Sequence, residues 1–214
     1  MPRNGDQVHR SLQQAALELF GERGFDQTTA AEIAARAGVT ERTFFRHFAD
    51  KRETLFGGEA PLRTLLVDAV AAAPGGCEPL QALRFSFQAV APMLEANRPF
   101  SEPRQRVIAA NPALKEREVA KVAALVVALA EALGRRGVAA RLATLAAQAG
   151  MAALTTAVTS WLADPGRDLH AHLAEAFADL HVLATAAAPP AAGARPAAGS
   201  SGPAGPASAP NRGE

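Results

Sequence analysis

Residues 16–56 read ALELFGERGFDQTTAAEIAARAGVTERTFFRHFADKRETLF, and no other segment of the chain says as much about its architecture. Two short runs with helical spacing of apolar residues flank the triplet Ala37-Gly38-Val39. Glycine tolerates the positive φ that a tight turn between nearly perpendicular helices requires, so Gly38 suits such a turn. The pattern predicts a helix-turn-helix motif over about residues 29–48.

Capping and helix-breaking residues extend this prediction to the neighbouring helices. We expect a first helix over about 7–24, a second over 30–37 with Thr28 or Thr29 as N-cap, and a third over 40–48. A fourth helix is expected to begin at Asp50, which has Glu53 at capping-box spacing, and to be kinked or interrupted at Pro61. Gly57-Gly58 is a further place where this helix can bend. This fourth helix is expected to be the one element that touches both the DNA-binding part and the rest of the molecule.

The third helix has a buried face and an outward face. Phe44 and Phe48 are expected to pack inward, across the turn, against Ile33. A short helix with two outward arginines fits the major groove of DNA. The outward positions are Glu41, Arg42, Phe45, Arg46 and Ala49.

The same segment resembles the N-terminal domain of the TetR family of transcriptional regulators nearly throughout. The matching residues are Ala16, Leu19-Phe20, Gly24-Phe25, Thr28-Thr29, Ile33-Ala34, Ala37-Gly38-Val39, Thr43, His47-Phe48 and Lys51. The resemblance implies a regulator that binds double-stranded operator DNA as a homodimer. Repression, relieved by a small-molecule effector in the C-terminal domain, is the family's usual mode.

The resemblance also implies which residues contact DNA. Residues 40–43 open the recognition helix and face base edges, whereas His47 and Lys51 match positions that hold phosphates. Phe45 replaces the usual Tyr and lacks the hydroxyl that reaches a phosphate. The implied DNA-binding set is Thr29, Thr40, Glu41, Arg42, Thr43, Phe45, Arg46, His47 and Lys51. Taken singly, the two arginines could be a solvated helix face and the histidine a core residue.

The charge of the chain is local rather than general. The formal net charge is +1, and residues 1–56 carry eight basic and eight acidic side chains. Residues 40–52 nevertheless carry a net charge of +2. Affinity for phosphates is therefore expected to come from a few placed contacts and from two copies of the chain.

Longer helices are predicted in the remainder, over 79–97, 101–110, 112–135, 139–163 and 168–187, and no strand pattern is present. The fold class is therefore all-α with about nine helices. A three-helix helix-turn-helix domain is expected at 6–66, and a C-terminal helical bundle for ligand binding and dimerisation at 67–187. Segment 188–214 is rich in Pro, Gly and Ala and is predicted to be a disordered tail.

The last two helices contain the expected dimer surface. The first has a stripe of mostly small residues, which let helix axes approach closely: Leu142, Leu145, Ala149, Ala152, Thr156 and Thr159. The second offers Leu169, Leu173, Phe177, Leu180 and Leu183. Ordinary packing within one chain is the alternative, and the family's mode of dimerisation favours the interface.

An effector pocket is expected between the middle helices, with a lining of Phe85, Phe87, Met93, Phe100, Arg104 and Val107. Residues 100–118 look like a C-terminal subfamily associated with long-chain acyl-CoA ligands. The implied effector is such an acyl-CoA or another amphipathic compound, with arginines at the pocket mouth suited to a phosphate. The alternative is that Arg84, Arg98, Arg104 and Arg106 are surface residues of amphipathic helices.

Other functional classes have less support in the sequence. Phosphate-binding and hydrolase motifs are missing, so neither an enzyme nor a cofactor is expected. Asp168, His172, Glu175 and Asp179 share a helix face with metal-like spacing, but a solvated acidic stripe is the simpler reading. A cytoplasmic protein without a membrane span is expected. A helical lipid-binding module that never contacts DNA is the remaining alternative.

Overall fold

The structure, a computed structural model, describes residues 5–186, and all regular structure within that range is helical. Its helices are α1 (Gly5–Arg23), α2 (Ala30–Arg36), α3 (Glu41–His47), α4 (Glu53–Phe56), α5 (Glu59–Ala72), α6 (Pro79–Ala96), α7 (Arg98–Ala110), α8 (Pro112–Arg135), α9 (Ala140–Ala163) and α10 (Leu169–Ala186). The all-α prediction is confirmed. The tail predicted at 188–214 lies outside the described residues.

Side-chain caps fix where α2 and α3 begin. The Thr29 hydroxyl accepts a hydrogen bond from the backbone N–H of Glu32, whose carboxylate accepts one from the N–H of Thr29, which is a complete capping box. Thr40 caps α3 with a single such bond, in which its hydroxyl accepts from the backbone N–H of Thr43. Gly38 lies between the helices with a φ of 68°, which a side chain would disfavour.

The predicted fourth helix differs from the structure in its start and in its continuity. Asp50 accepts a hydrogen bond from the N–H of Glu53, but α4 itself begins at Glu53. Of the two expected bend sites, the break falls at Gly57 and Gly58 and not at Pro61, leaving α4 as a single turn and α5 as a separate helix. Pro61 lies in the first turn of α5, where helical N–H groups have no intrahelical acceptor, so proline is tolerated there. Counting α4 separately gives ten helices over residues 5–186, where the sequence predicted about nine.

Two hydrophobic cores divide the described residues. The first joins α1–α4 and also contains Ile108 from α7 and Leu114 from α8, which are 3% and 0% exposed. The second core joins α5, α6, α8, α9 and α10 and begins at Leu66. The domain boundary expected after residue 66 remains a prediction, because α7 and α8 contribute to the core of the N-terminal helices.

Helices α6 and α9 approach each other closely at Gly150. A Cβ atom built on Gly150 would lie 2.8 Å from Leu83 Cδ1 and 3.5 Å from Phe87, so only glycine fits without a shift of Leu83. Among the described helices α9 alone is long and apolar enough to cross a membrane, and 44% of its most apolar stretch is buried in the chain. Such partial burial is typical of a core helix with one outward face.

The two predicted halves of the dimer surface have different positions. On α9, Leu142 and Leu145 are exposed, as are Ala152, Thr156 and Thr159. On α10 the prediction is largely wrong, because Leu169, Leu173 and Phe177 are core residues, and Phe177 packs 6.1 Å from the ring of Phe87. The helix turns those three side chains toward α6 and α9, and leaves Val182 and Leu183 exposed.

Candidate DNA interface and ligand cavity

Helix α3 is anchored by one aromatic face and exposes the other. Phe44 is fully buried, with Phe48 packed 5.7 Å from it between ring centroids. On the opposite side Arg42 and Arg46 are exposed, and 53% of Phe45 is accessible. Within residues 5–186 neither arginine has an ion-pair or hydrogen-bond partner, so α3 presents two uncompensated positive charges around an aromatic ring.

Hydroxyl groups at the start of α2 and α3 are engaged in capping. The hydroxyls of Thr40 and Thr43 lie 3.0 Å apart, and the Thr29 hydroxyl lies 2.9 Å from the Glu32 carboxylate. Glu41 is exposed in the first turn of α3. These residues hold the two helix starts in a fixed geometry on the side of the domain that bears α3.

Ion pairs that the sequence analysis did not identify fasten α1 to α2. Arg36 donates to Glu22 at 2.9 and 3.0 Å and to Glu18 at 3.3 Å, while Arg23 pairs with Glu32 at 2.9 Å. The hydrogen bond from Arg36 lowers the pKa of the Glu22 carboxyl. Because these arginines are paired, the local positive charge belongs to α3 rather than to the whole domain.

Lys51 occupies a position that the sequence did not predict. Its ammonium group donates to the backbone carbonyls of Phe25 at 2.7 Å, Thr28 at 2.9 Å and Asp26 at 3.4 Å, and lies 4.4 Å from the centre of the Phe25 ring. An ammonium has three donors, and all three are directed at the loop between α1 and α2. Lys51 can therefore reach a phosphate only by leaving one of these carbonyls.

His47 faces the interior of the N-terminal domain rather than open solvent. Its ring lies 6.0 Å from that of His9, and its Nε2 atom is buried without a hydrogen-bond partner. His9 packs 4.4 Å from Phe48. Burial lowers the pKa of His9, repulsion from His47 lowers it further, and Asp6 acts in the opposite direction.

A cavity of about 410 Å³ opens between α5, α6, α7 and α8. Of the predicted pocket residues, Met93, Phe100 and Arg104 line it. The other three do not: Phe85 is 40% exposed, Phe87 is fully buried in the second core, and Val107 packs against the first core. The apolar wall that the sequence missed comes from Phe56, Pro61 and Leu62.

The polar wall of the cavity is a small network of charged side chains. Arg104 donates to the Leu55 carbonyl at 2.6 Å and to Glu118 at 2.5 Å, and Lys121 donates to the same carboxylate at 2.6 Å. Burial opposes ionisation of Glu118, but the charges of Arg104 and Lys121 outweigh it and hold the pKa of Glu118 below its usual range. Burial, assisted by repulsion from Arg104, lowers the pKa of Lys121.

The ring of Phe56 joins this network to the DNA-binding part. Arg104 lies 4.9 Å and Arg117 lies 4.7 Å from the centre of the ring. Arg117 also pairs with Glu59 at 2.8 Å and with Glu53 at 3.6 Å. Side chains from α7 and α8 therefore hold α4 and the start of α5 beside the cavity.

The expectation that one helix alone links the two parts is wrong. Helix α7 lines the cavity with Phe100, Ser101 and Arg104, and buries Ile108 in the first core. At its C-terminal end, the Asn111 amide lies 3.4 Å from both carboxylate oxygens of Asp26, in the loop between α1 and α2. Two routes, through α4 and through α7, connect the cavity to the helix-turn-helix.

Two of the remaining arginines have local partners away from the cavity. Arg98 stacks 4.7 Å from the Trp161 ring and donates to the Leu162 carbonyl, and Arg106 pairs with Glu102. In the part of the chain that the structure describes, no cluster of three or more His, Cys, Asp or Glu side chains has a geometry for holding a metal ion. Of the four arginines predicted at the pocket mouth, only Arg104 lines the cavity.

An all-helical chain with a helix-turn-helix at one end and a cavity-bearing bundle at the other defines a one-component regulator. Residues 12–56 match the family model for bacterial regulatory proteins of the tetR family, and residues 77–183 match the MftR C-terminal domain. The second match spans half of the chain. The protein belongs to the TetR family of transcriptional regulators.

Known regulators share parts of this chain. The transcriptional regulator TcmR of Streptomyces glaucescens is 40% identical over 88 residues, which are 41% of this chain and 37% of TcmR. The chain thus aligns with little more than a third of that relative. FadR of Thermus thermophilus, solved with lauroyl-CoA, has a TM-score of 0.51 and 28% identity over 87% of this chain and 98% of its own. NalD of Pseudomonas aeruginosa has a TM-score of 0.59 and 19% identity over 84% and 97%, which shows the fold.

Proposed function

We propose that the protein is a transcriptional repressor that binds a palindromic operator as a homodimer and releases it when a small molecule enters the cavity. The observation that supports DNA binding best is the outward face of α3. Arg42 and Arg46 lack partners within residues 5–186, although most of the other arginines of the N-terminal domain are paired. Unpaired arginines on a capped helix suit base edges and phosphates in a major groove.

A homodimer is proposed because one short helix contacts too little DNA for a specific site. Two-fold symmetry would place two copies of α3 about 34–36 Å apart, one turn of B-DNA. The outward face of α9, with Leu142 and Leu145 about half exposed, is the proposed contact surface.

Within the DNA-binding set, Arg42 and Arg46 are assigned to bases or phosphates, and Lys51 and the threonines to positioning the helices.

The proposed effector is an amphipathic molecule, and a long-chain acyl-CoA is the specific candidate. An apolar wall of Phe, Leu, Met and Pro suits an alkyl chain, and a cavity of about 410 Å³ lies within the usual range for small-molecule sites. Arg104 and Lys121 share one carboxylate, so this wall can accept a further anion. A whole acyl-CoA exceeds the cavity, so its nucleotide would remain outside. The FadR relative, solved with lauroyl-CoA, supports this choice.

Release of the operator is proposed to follow from the contacts around Phe56. A head group that draws Arg104 toward the cavity competes with the Leu55 carbonyl and with Glu118. The restraint on α4 would then loosen, and the distance between the two recognition helices in the dimer would change. A ligand shifts this equilibrium only by its difference in affinity for the two arrangements.

The test is fluorescence anisotropy with labelled DNA from the intergenic region upstream of the gene. We expect saturable binding by the wild-type chain, a large loss for Arg42→Ala with Arg46→Ala, and no change for the exposed control Arg63→Ala on α5. Lauroyl-CoA added to the complex is expected to release the DNA. Ligand binding without any DNA binding would instead identify a helical lipid-binding module and contradict the proposal.

A further inference from the structure

Lys121 is a largely buried lysine at the wall of the effector cavity. Its side chain, which projects from α8, is 15% exposed and lines the space of about 410 Å³ together with Leu62 and Phe100. Removing an ammonium group from water is costly, so lysines are rarely buried in this way. The release mechanism proposed above depends on Arg104 and gives the Lys121 amine no chemical role of its own.

Three charged groups act on the Lys121 amine. Glu118 accepts a hydrogen bond from Nζ at 2.6 Å, and the same carboxylate accepts one from Arg104 at 2.5 Å. Glu59 on α5 favours the charged amine, but its carboxylate is paired with Arg117 at 2.8 Å. Burial and repulsion from Arg104 together lower the pKa of Lys121 despite the two carboxylates. A larger fraction of this amine is therefore neutral near pH 7 than of an exposed lysine.

A neutral lysine amine in an apolar cavity, beside a second cation and a carboxylate, is suited to condensation with a carbonyl compound. Nζ attacks the carbonyl carbon, and Glu118 accepts a proton from the nitrogen and returns it to the former carbonyl oxygen. That oxygen then leaves as water with both protons of the amine, and an imine with a C=N bond to Nζ remains. The step needs neither an oxidant nor a reductant, and hydrolysis reverses it.

The lining of the cavity favours an aldehyde with an alkyl chain. Phe56, Leu62, Met93 and Phe100 form an apolar surface that suits such a chain. The head group of an aldehyde is a single oxygen, so the whole molecule can enter a space from which the nucleotide of an acyl-CoA would be excluded. A carboxylate offers no carbonyl that an amine attacks readily.

We propose that Lys121 is a covalent ligand-binding residue that captures long-chain aldehydes as a reversible imine, with Glu118 transferring the protons. The inference rests on the effector cavity proposed above and adds a second class of ligand to it. Imine formation removes the positive charge of Lys121 and its hydrogen bond to Glu118. The charge network around Arg104 changes as a result, at the place where an anionic head group was proposed to act.

Reductive trapping tests the imine on the full chain. The protein is incubated with dodecanal and cyanoborohydride, which reduces an imine to a stable amine, and peptide mass spectrometry locates the dodecyl group. We expect labelling of Lys121 at least about tenfold faster than labelling of Lys115, an exposed lysine of the same helix. Lys121→Arg should abolish the fast labelling, and the matched control Lys115→Arg should keep it. Equal labelling of Lys115 and Lys121, or none at Lys121, would overturn the proposal.

The role of Glu118 is tested without removing the amine. Glu118→Gln keeps the size of the side chain and an oxygen that can accept from Nζ, but it cannot take up a proton. We expect labelling of Lys121 to slow at least about tenfold, whereas Glu116→Gln at an exposed position of α8 leaves the rate unchanged. An unchanged rate in Glu118→Gln, with helical content preserved by circular dichroism, would show that Glu118 does not transfer the protons.

Operator release separates this inference from the proposed function. Dodecanal is expected to release labelled operator from the wild-type chain and from Lys115→Arg, but not from Lys121→Arg, and lauroyl-CoA to release it from the wild-type chain. Release by dodecanal without an adduct on Lys121 would overturn the imine and leave the effector cavity in place. An adduct on Lys121 without release by either compound would support the imine and contradict control of the operator by the cavity.

Discussion

Arg42 and Arg46 are the residues on which sequence-specific recognition is expected to depend. Both project from a helix of seven residues that is held by the Thr40 cap and by the buried ring of Phe44. Because Phe45 between them has no hydroxyl, the arginines supply the polar contacts on this face. An arginine without a partner in the free protein breaks no hydrogen bond or ion pair when it turns toward DNA, so the free energy of binding is not reduced by such a loss.

Replacing Arg42 with alanine tests direct reading of bases. We expect Arg42→Ala to weaken binding to the cognate operator by about 1–3 kcal/mol and to relax the base preference at one position. The measurement is anisotropy against a panel of operators with single base changes. If affinity falls equally for every sequence, Arg42 contacts only the DNA backbone.

Lys51 is expected to act on stability more than on phosphate binding. Lys51→Ala removes the donor for the carbonyls of Phe25, Asp26 and Thr28, and should lower the free energy of unfolding by about 1–3 kcal/mol. Chemical denaturation measures this loss of stability. The salt dependence of operator binding is measured on the same variant and is expected to be unchanged. A normal stability together with a salt slope reduced by about one would show that Lys51 holds a phosphate instead.

His9 gives the N-terminal domain a dependence on pH. Because burial and His47 lower its pKa in the folded state, the unfolded chain binds a proton more readily as pH falls below about 6.5. Stability contributed by neutral His9 should therefore be present above that pH and decline below it. His9→Gln is expected to reduce the difference in Tm between about pH 7.5 and pH 5.5, while His181→Gln on the surface of α10 leaves it unchanged. An undiminished difference in His9→Gln would assign the effect to another group.

Helices α4 and α7 determine how the two ends of the molecule communicate. Helix α4 lies between Lys51 and the cavity, and α7 has Arg104 at the cavity and Ile108 in the first core. The N-terminal core is therefore incomplete without α7 and α8. In the proposed mechanism, a change of α7 at the cavity would reach α1 through packed side chains.

A core substitution in α7 measures this dependence. Ile108→Ala is expected to destabilise the protein by about 2–5 kcal/mol, and Ile108→Val by about 0.5–1.5 kcal/mol, because Ile108 is 3% exposed. Operator binding should fall with stability even though Ile108 is a buried core residue and not part of the exposed face of α3. Chemical denaturation and operator binding by anisotropy are measured on the same variants. If a destabilised variant keeps full operator affinity near the midpoint of its denaturation curve, the DNA-binding helices do not depend on α7.

Sequence signals located most helix ends but not the contacts between helices. Asn111-Pro112 and Gly134–Gly137 mark the ends of α8 clearly, and its predicted range is confirmed. Both Gly57-Gly58 and Pro61 were expected as places where the fourth helix can bend, and the structure breaks it only at the glycines, because the position of Pro61 in a first turn makes it harmless. Phe87 and the leucines Leu169 and Leu173 of α10 were misplaced because their partners lie on helices distant in sequence. The contacts of Lys51 with the loop between α1 and α2 were not predicted for the same reason.

At the scale of the whole molecule, affinity for DNA is expected to depend on joining two N-terminal domains, because residues 1–56 of each copy carry no net charge. The chain has a formal net charge of +1, so a single copy has little general attraction for DNA. Light scattering at micromolar concentration should give about twice the 22.2 kDa chain mass. In the proposed mechanism, a dimer would place two α3 helices on one face of the duplex, and an effector would change the spacing between them.

Reciprocal linkage between operator and effector tests this mechanism most directly. The affinity of a long-chain acyl-CoA for the protein is measured with and without saturating operator, and the affinity for operator with and without saturating ligand. We expect both affinities to fall, and by the same factor, because the two sites bias one equilibrium. Equal ligand affinity in the presence and absence of operator would show that cavity occupancy and DNA binding are not coupled through α4 and α7.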